Sequence, residues 1–481
     1  MTNRLIQQLT LTAGWLLIGA LSGVYGQAAT PPGGTAMPLT LTQALDRVQQ
    51  TYPSIKARQA QVSAALYGVK ERQADYLPHT IFQSQALYGT SNQVQGTFFP
   101  NEGTAIPIVG AIKPAGNTPD MVWTSFATLL TDWAFFDFGK VRSTVQVARG
   151  EVATQKAALT NEIFQQQVRT ADAYLLTLVT HELVQQQQAN LTRVETFRQM
   201  TTARAQSGLR PGVDSSLAQA EVSRARLILT EAQQAEQTQK IRLGELTGLD
   251  PAAFSVSQTA FYETLPATVA EATYIDNNPV LQIGQAEILT TQDQAKAARL
   301  SWLPSFRLLG AAWARGSGLD NVKAADGNLI YHKGLWDGVK FRAYDVMVGP
   351  VLYWELSNYW RASNRAQQFR LLGQSRQFDL DEERLGLNRQ RETANLDYAF
   401  ALASVTNADQ QIRAARGAYE QSLSRYNAGL TGALELSQAF AILNRAEIDK
   451  AVSTASVWQS LLKQAAATGE LSAFTSKTTD R

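Results

Sequence analysis

The side chains that could perform acid–base or metal chemistry are few in this chain and do not form a motif. There is no cysteine, and the three histidines, His79, His181 and His332, lie far apart in sequence. His181-Glu182 begins like the helical motif of zinc proteases, but Gln185 occupies the position of the second histidine ligand. No glycine-rich phosphate loop is present. The sequence therefore predicts no enzyme activity, no metal site and no cofactor.

One acidic run and the overall charge give equally little support to a binding chemistry. Asp379, Asp381, Glu382 and Glu383 lie within a predicted long helix with Arg384 beside them, so a solvated helix face is the favoured interpretation. The formal net charge is only +2 and no basic block occurs, so nucleic-acid binding is not expected.

The elements that position these residues form a pattern that occurs twice. Leu77-Pro78 follows Pro53 by 25 residues (53 to 78). Leu303-Pro304 follows Pro279 by the same 25 residues (279 to 304). Gly208-Leu209 precedes Gly248 as Gly429-Leu430 precedes Gly469 (208 to 248, 429 to 469). The chain is therefore a tandem duplication, with a first repeat over 40–260, a second over 270–470 and a C-terminal tail over 471–481. Such duplication favours a tube or ring over a catalytic cleft.

The N-terminus has the pattern of an export signal. Arg4 precedes an apolar run that includes Trp15 to Ile18, and small residues follow. We expect residues 1–26 to be a signal peptide, cleaved after Gly26 or Ala28; an N-terminal membrane anchor is the alternative. No cysteine follows the run, so lipid attachment to cysteine is not expected.

Long helices with coiled-coil spacing fill most of the sequence. Proline-free stretches predict helices over 140–206 and 361–428, each on the order of 100 Å long at about 1.5 Å per residue. Each ends in a glycine-containing turn and returns as a shorter helix, over 213–247 and 433–468. Apolar and uncharged residues follow steps of four and three, which predicts left-handed coiled coils. The helices over 54–75 and 280–300 fit the gap beside each short partner. A soluble helical bundle would explain this spacing as well.

Four strands are predicted where the helical spacing stops, over 80–88, 122–133, 305–315 and 344–354. The last alternates most clearly, with an apolar face bounded by aromatic residues, as expected of a strand that faces lipid. That face consists of Tyr344, Val346, Val348, Pro350, Leu352 and Trp354. Long loops over about 89–120 and 316–343 would join the strands. Four strands cannot close a barrel, so the chain is expected to oligomerise; a soluble edge hairpin is the alternative.

At this point the chain resembles the outer membrane efflux protein family, the TolC-like exit ducts of Gram-negative bacteria. The resemblance covers about residues 39 to 470 in both repeats. It rests on the order and spacing of several short sequences: Leu39 to Leu45, Leu77-Pro78, Leu303-Pro304, Phe136 to Lys140, Arg425 to Leu430 and Ala467 to Gly469.

The resemblance implies a mainly α fold with a transmembrane β-barrel portion. Each chain would contribute two repeats of two β-strands plus long coiled-coil helices, and a homotrimer would form a twelve-stranded barrel that continues into a periplasmic α-helical barrel. It further implies an outer-membrane location, contact with outer-membrane lipid, a periplasmic adaptor and an inner-membrane pump as partners, and no catalytic residues.

The resemblance also implies functional positions at the two helical turns. An adaptor would contact the tips, which consist of Gly208, Leu209, Arg210, Pro211 and Gly212 in the first repeat and Gly429, Leu430, Thr431 and Gly432 in the second. Glu435 falls where the family carries a first acidic gate residue, and Gln438 replaces the second. Asp214 is the equivalent of Glu435 in the first repeat. Stabilisation of a helix N-terminus is the favoured interpretation of Asp214, and for Glu435 it is an alternative to the gate.

A rival function belongs to another class. An exported coiled-coil structural protein or adhesin, without a conducting pore, would explain the heptads and the export signal. It would not explain the duplicated strand pairs or the apolar face over 344–354. A periplasmic adaptor is a third candidate, but such proteins usually carry one helical hairpin and not two. The sequence therefore favours the exit duct.

Overall fold

The computed structural model describes residues 37–90, 119–207, 212–256, 261, 265, 275–325, 329–472 and 474–475. The expected signal peptide, most of the loop over 89–120 and the tip residues Gly208 to Pro211 lie outside this part of the chain. Among the described residues, no helix is both long enough and apolar enough to cross a membrane.

Helices dominate the fold and are arranged as two long hairpins with shorter helices beside them. In chain order they are α1 (Leu41–Thr51), α2 (Pro53–Ala74), α3 (Lys140–Gln206), α4 (Gly212–Thr247), α5 (Pro279–Leu300), α6 (Leu335–Val339), α7 (Asn358–Asn427) and α8 (Ala433–Thr468). The α3/α4 hairpin belongs to the first repeat and the α7/α8 hairpin to the second.

The strands form one four-stranded sheet and two small pairs. They are β1 (Met37–Pro38), β2 (His79–Thr90), β3 (Met121–Phe136), β4 (Phe254–Ser255), β5 (Ser305–Ser317), β6 (Leu319–Lys323), β7 (Leu329–Tyr331) and β8 (Ala343–Tyr353). The large sheet is antiparallel in the order β2-β3-β5-β8. The two repeats therefore meet at the β3–β5 pair, and β2 and β8 are the open edges.

The junction between sheet and helix is set by Asp137. Its Oδ1 accepts a hydrogen bond from the Gly139 amide (2.9 Å) and its Oδ2 accepts one from the Val141 amide (2.7 Å). The carboxylate therefore caps the first turn of α3. Gly139 adopts φ +85°, a left-handed conformation that glycine takes without strain, which explains the glycine at this position.

The largest hydrophobic core joins both repeats midway along the helices. The Tyr174 hydroxyl donates to the Leu39 carbonyl (3.0 Å), and the Trp458 indole donates to the Phe261 carbonyl (2.8 Å). Leu471 and Phe474 are buried in the same core. The segment predicted as a C-terminal tail therefore begins with residues that pack into the body of the protein.

The two short helices beside the hairpins are not equivalent within one chain. α5 packs against both α3 and α7, whereas α2 packs against α3 and has no α7 beside it. The contact of α5 with α3 is close, because a Cβ at Gly150 would lie 2.6 Å from the Thr290 hydroxyl. Of the residues of α2, only Ile55 is buried in a single chain. One side of α2 is thus left without a packing partner from its own chain.

The two faces of the large sheet differ in charge. Residues that pair across neighbouring strands share a face, and the register brings every charged residue of these strands to one side: Asp132, Arg307, Arg315 and Asp345. Ion pairs join Arg307 to Asp132 (2.7 Å) and Arg315 to Asp345 (3.0 Å). The opposite face carries only apolar and uncharged polar side chains.

The expectation of a loop over 316–343 is wrong in part. This segment contains β6, β7 and the short helix α6. Frequent glycines are typical of loops, but several glycines of this segment are required by close packing, since a Cβ at Gly316 or Gly338 would collide with backbone atoms of the segment or of β3.

Candidate functional site

The end of the α7/α8 hairpin is a tight, well-defined turn. Gly429 adopts φ +79°, the Leu430 amide donates to the Arg425 carbonyl (2.9 Å) and the Gly429 amide donates to the Tyr426 carbonyl (3.1 Å). These two bonds form a Schellman cap, which needs a left-handed residue at the position of Gly429. Leu430 projects into solvent at the turn, whereas Thr431 is buried.

The predicted gate residues lie just past this turn. Glu435 is in the first turn of α8 and Gln438 is one turn further; both side chains are exposed. The Glu435 carboxylate lies 3.5 Å from the Arg425 guanidinium, with 46 % and 57 % of the two side chains exposed. An exposed ion pair of this kind contributes about 0–1 kcal/mol to stability. Asp214 lies in the first turn of α4, half-buried.

The second hairpin is held at its end by an arginine from the first. Arg204, in the last turn of α3, donates from Nη1 to the Tyr426 carbonyl (2.9 Å) and from Nη2 to Asn427 Oδ1 (3.3 Å). Its guanidinium also lies 4.9 Å from the centre of the Tyr426 ring. Arg204 therefore satisfies carbonyl oxygens at the C-terminus of α7, where a cation is favoured by the helix dipole.

Aromatic packing reinforces the same contact. The Phe197 ring of α3 lies 5.6 Å from the Tyr426 ring and 5.4 Å from the Phe440 ring, centre to centre. The Tyr419 ring lies 5.2 Å from the Phe440 ring, tilted by 42°. Phe197 and Tyr426 are fully buried. Ring contacts at these distances add to the apolar burial that joins the two hairpins.

A buried ion pair forms a second link between the hairpins, farther from the hairpin turns. Arg193 of α3 binds Glu447 of α8 through both guanidinium nitrogens, with Nη1 2.7 Å from Oε1 and Nη2 on Oε2. Only 8 % of the Glu447 side chain is exposed. The eleven residues from Arg193 to Arg204 place this pair about 16 Å from the Arg204 contact. The Ser437 hydroxyl also donates to Glu221 of α4 (3.1 Å).

The first hairpin is stabilised internally by a buried carboxylate. Glu236 of α4 lies 2.8 Å from His181 Nδ1 and 2.9 Å from Lys240 Nζ. Burial alone would raise the pKa of Glu236, but hydrogen bonds from Lys240 and His181 outweigh it and leave the pKa below its usual value. His181, noted above for an incomplete zinc motif, therefore has a structural partner. Among the described residues, no cluster of three potential metal ligands exists.

The strand residues predicted to face lipid lie on the uncharged face of the sheet. Tyr344, Val346, Val348 and Leu352 are all exposed on that face of the edge strand β8. Trp354 follows the last residue of β8, and its indole donates to the Trp302 carbonyl (3.0 Å). Trp302 and Trp354 therefore form an aromatic pair at the helix end of the sheet.

Sequence reasoning missed the links between the hairpins. The sequence patterns do not single out Arg193, Arg204 or Glu447. A usable signal existed, since Glu447 is a charged residue in a seam that is otherwise apolar or small, beside Leu443 and Ala446. A carboxylate in such a seam requires a partner. Of the residues predicted to contact an adaptor at the first tip, Gly208 to Pro211 lie outside the described residues.

Comparisons with known proteins agree with this architecture. The model of the family described as "Outer membrane efflux protein" matches residues 44–249 and 273–470. Solved structures of outer-membrane channels are similar over nearly the whole chain: VceC from Vibrio cholerae at 17 % identity (89 % of this chain, 96 % of that one, TM-score 0.68) and CmeC from Campylobacter jejuni at 13 % identity (92 % and 90 %, TM-score 0.70).

The open state of MtrE from Neisseria gonorrhoeae is similar at 17 % identity (89 % of each chain, TM-score 0.63). At these identities the structures establish the fold alone. No curated protein is significantly similar in sequence. The family match covers both repeats and most of the chain, and we conclude that this chain belongs to the outer membrane efflux protein family.

Proposed function

We propose that three copies of this chain form a duct through the outer membrane, which carries substrates of an efflux or type I secretion system from a periplasmic adaptor and inner-membrane pump to the exterior. The observation that carries the proposal is that each repeat leaves one strand edge and one helix face without a packing partner from its own chain. Within one chain, the first repeat meets the second through β3–β5 and through α3–α5. Between copies, β8 would meet β2 and α7 would meet α2 in the same way.

Exposed apolar residues on these elements support the arrangement. On α2, Leu66 and Tyr67 are exposed, the latter by 69 %. On α7, Phe378 is 73 % exposed and Leu385 and Phe400 are comparable. Contact with a neighbouring copy would cover such residues, which are rarely left exposed in a group. Three copies supply twelve strands, whereas two would supply eight and leave little space between the side chains.

The difference between the two sheet faces supports its orientation in the membrane. The uncharged face, with Tyr344, Val346 and Val348, faces lipid in this proposal, and the face with the ion pairs Arg307–Asp132 and Arg315–Asp345 lines the water-filled lumen. A charged side chain on the lipid face costs about 2–4 kcal/mol at the bilayer centre. The complete separation of charge is what such a sheet requires.

The gate is placed at the periplasmic end of the α7/α8 hairpin. Three copies of Glu435 around the symmetry axis would form a carboxylate ring that favours cations, and Gln438 would add no charge. The tips, including Gly212, Leu430 and Gly432, are the surfaces offered to the adaptor. Asp214 is assigned only the stabilisation of the N-terminus of α4.

The proposal is tested by the mass of the purified protein in detergent together with its conductance in planar bilayers. A trimer with discrete channel openings supports the duct. A monomer that stays soluble without detergent and never conducts supports the coiled-coil scaffold instead. Glu435→Gln should reduce cation selectivity of the conducting trimer; unchanged selectivity and conductance would remove the carboxylate ring from the account.

A further inference from the structure

A segment between β7 and β8 folds back onto the uncharged face of the sheet. We name residues 332–342, which include α6, the rim strap. The Ser125 hydroxyl of β3 donates to the Val339 carbonyl (3.0 Å). A Cβ at Gly338 would lie 2.0 Å from the Trp123 carbonyl oxygen, and one at Gly316 would lie 2.5 Å from the Lys340 carbonyl oxygen. The backbone of the strap therefore lies directly on β3 and β5.

Both ends of the rim strap are fixed by hydrogen bonds. Arg342 donates through its amide to the Arg315 carbonyl (2.7 Å) and through its guanidinium to the Ser317 carbonyl and to Asp320 (2.9 Å each). His332 lies 2.9 Å from the same Asp320 carboxylate. The two partners hold the pKa of Asp320 below its usual value. These hydrogen bonds give the strap a defined position on the sheet.

The outward side of the strap exposes large apolar side chains. Trp336 is 78 % exposed, and Leu335 and Phe341 are exposed beside it. Lys333 and Lys340 flank them in sequence. Lys333 Nζ lies 3.4 Å from Oδ1 of Asp120, which precedes β3, and Asp337 is the single acidic residue of the strap itself. The strap lies on the two central strands, β3 and β5, at the end of the sheet farthest from α3. A neighbouring copy that pairs with the edge strands β2 or β8 would therefore leave the strap uncovered.

We infer that the rim strap is seated in the headgroup layer of the outer leaflet, with Trp336 and Leu335 among lipid chains and Lys333 and Lys340 at lipid phosphates. The strap continues the uncharged face that the proposed function assigns to lipid, and the inference rests on that function. Tryptophan is enriched at membrane interfaces, and lysine stems extend along apolar surface with their amines at the headgroups. The proposed partner of the strap's exposed side is therefore a lipid surface.

The absence of cysteine allows the position to be measured directly. Trp336→Cys, Val346→Cys and Leu430→Cys, each labelled with a bimane fluorophore, are reconstituted as full chains into phosphatidylcholine–phosphatidylglycerol vesicles with brominated lipids. We expect the label at 346 to be quenched, the label at 336 to be quenched at least twofold more by bromine near the headgroup than near the chain end, and the label at 430 to be unquenched.

The outcomes separate the inference from the proposed function. A label at 336 that behaves like that at 430, while 346 is quenched, overturns the rim strap inference alone. A label at 346 that is also unquenched overturns the lipid face itself. Quenching at 336 that increases towards the chain end would overturn the headgroup position.

A second pair of variants tests the lysines. Lys333→Glu/Lys340→Glu is compared with Lys156→Glu/Lys296→Glu, which makes the same change of charge on exposed helix positions. The measured quantity is the ratio of phosphatidylglycerol to phosphatidylcholine retained by the purified protein. A basic side chain near an anionic surface contributes about fivefold in binding, so we expect at least a fivefold fall for the first pair alone. Equal ratios in both pairs would overturn the phosphate contact.

Discussion

The two hairpin tips start from equivalent residues but use them differently. Arg204 and Arg425 are related by the duplication, as are Asp214 and Glu435 (204 to 425 and 214 to 435, an offset of 221). Arg425 lies beside Glu435 within its own hairpin. Arg204 instead crosses to the other hairpin and binds the carbonyl oxygens at the end of α7. Arg425 therefore makes its contact within its own hairpin, whereas Arg204 binds the other hairpin.

Aromatic residues explain why the contact runs in this direction. The second tip carries Tyr426 and Phe440, where the first repeat has Ala205 and Gln219. Only the second hairpin therefore offers a ring for Phe197 and Arg204 to pack against. We call Phe197 and Arg204 of the first hairpin the clasp, because they pack on Tyr426 and Phe440 of the second hairpin.

Removing the buried ion pair between the hairpins should have the largest effect on stability. Arg193→Ala leaves the buried Glu447 carboxylate without its cation, and we expect a loss of about 3 kcal/mol of unfolding free energy. Chemical unfolding followed by the helical circular dichroism signal measures it. Arg193→Met/Glu447→Leu, which removes both charges and keeps the volume, should recover most of the loss. A double variant as unstable as Arg193→Ala would show that the charges were not the cause.

The asymmetry itself is tested by the two equivalent arginines. Arg204→Ala removes charge-assisted bonds to carbonyl oxygens, each worth about 1.5–3 kcal/mol, whereas Arg425→Ala removes an exposed pair worth about 0–1 kcal/mol. Hydrogen exchange of amides over 419–427 should therefore accelerate at least tenfold in Arg204→Ala and less than fivefold in Arg425→Ala. Equal acceleration in both variants would contradict a one-sided clasp.

The turn of the second hairpin offers a matched pair of glycines. Gly429→Ala forces alanine into φ +79° and should cost about 1–2 kcal/mol. Gly432 has φ −88° with open space around its Cα, so Gly432→Ala should be nearly neutral. Melting temperatures of the two variants provide the measurement. A neutral Gly429→Ala would mean that the Schellman cap does not hold the tip.

The smallest expected effect is a dependence on pH in the first hairpin. The lowered pKa of Glu236 stabilises the α3/α4 pairing fully above its unfolded pKa of about 4.5, and this contribution is lost as the pH falls through the lower folded value. Wild-type melting temperature should therefore decline below pH 4.5 more steeply than that of Glu236→Gln. Parallel declines would assign the acid sensitivity to other carboxylates.

Periodicity and duplication predicted the elements of the fold, because long coiled-coil helices and repeated spacings are local features of sequence. The Phe136 to Lys140 segment, for example, was recognised by pattern, and Asp137 and Gly139 give it a structural reason. The contact of Arg204 with Tyr426 could not be predicted, because it joins residues 222 positions apart (204 to 426) that the duplication had not paired. The rim strap was missed because its glycines are required by packing as well as by turns.

The most direct test of the clasp is the single-channel conductance of Arg193→Ala/Arg204→Ala beside that of the wild-type protein, in planar bilayers. If the first hairpin holds the second in a closed position, the double variant should open more often and conduct more than the wild type, while Arg425→Ala should change little. Wild-type conductance and open time in the double variant would contradict the account.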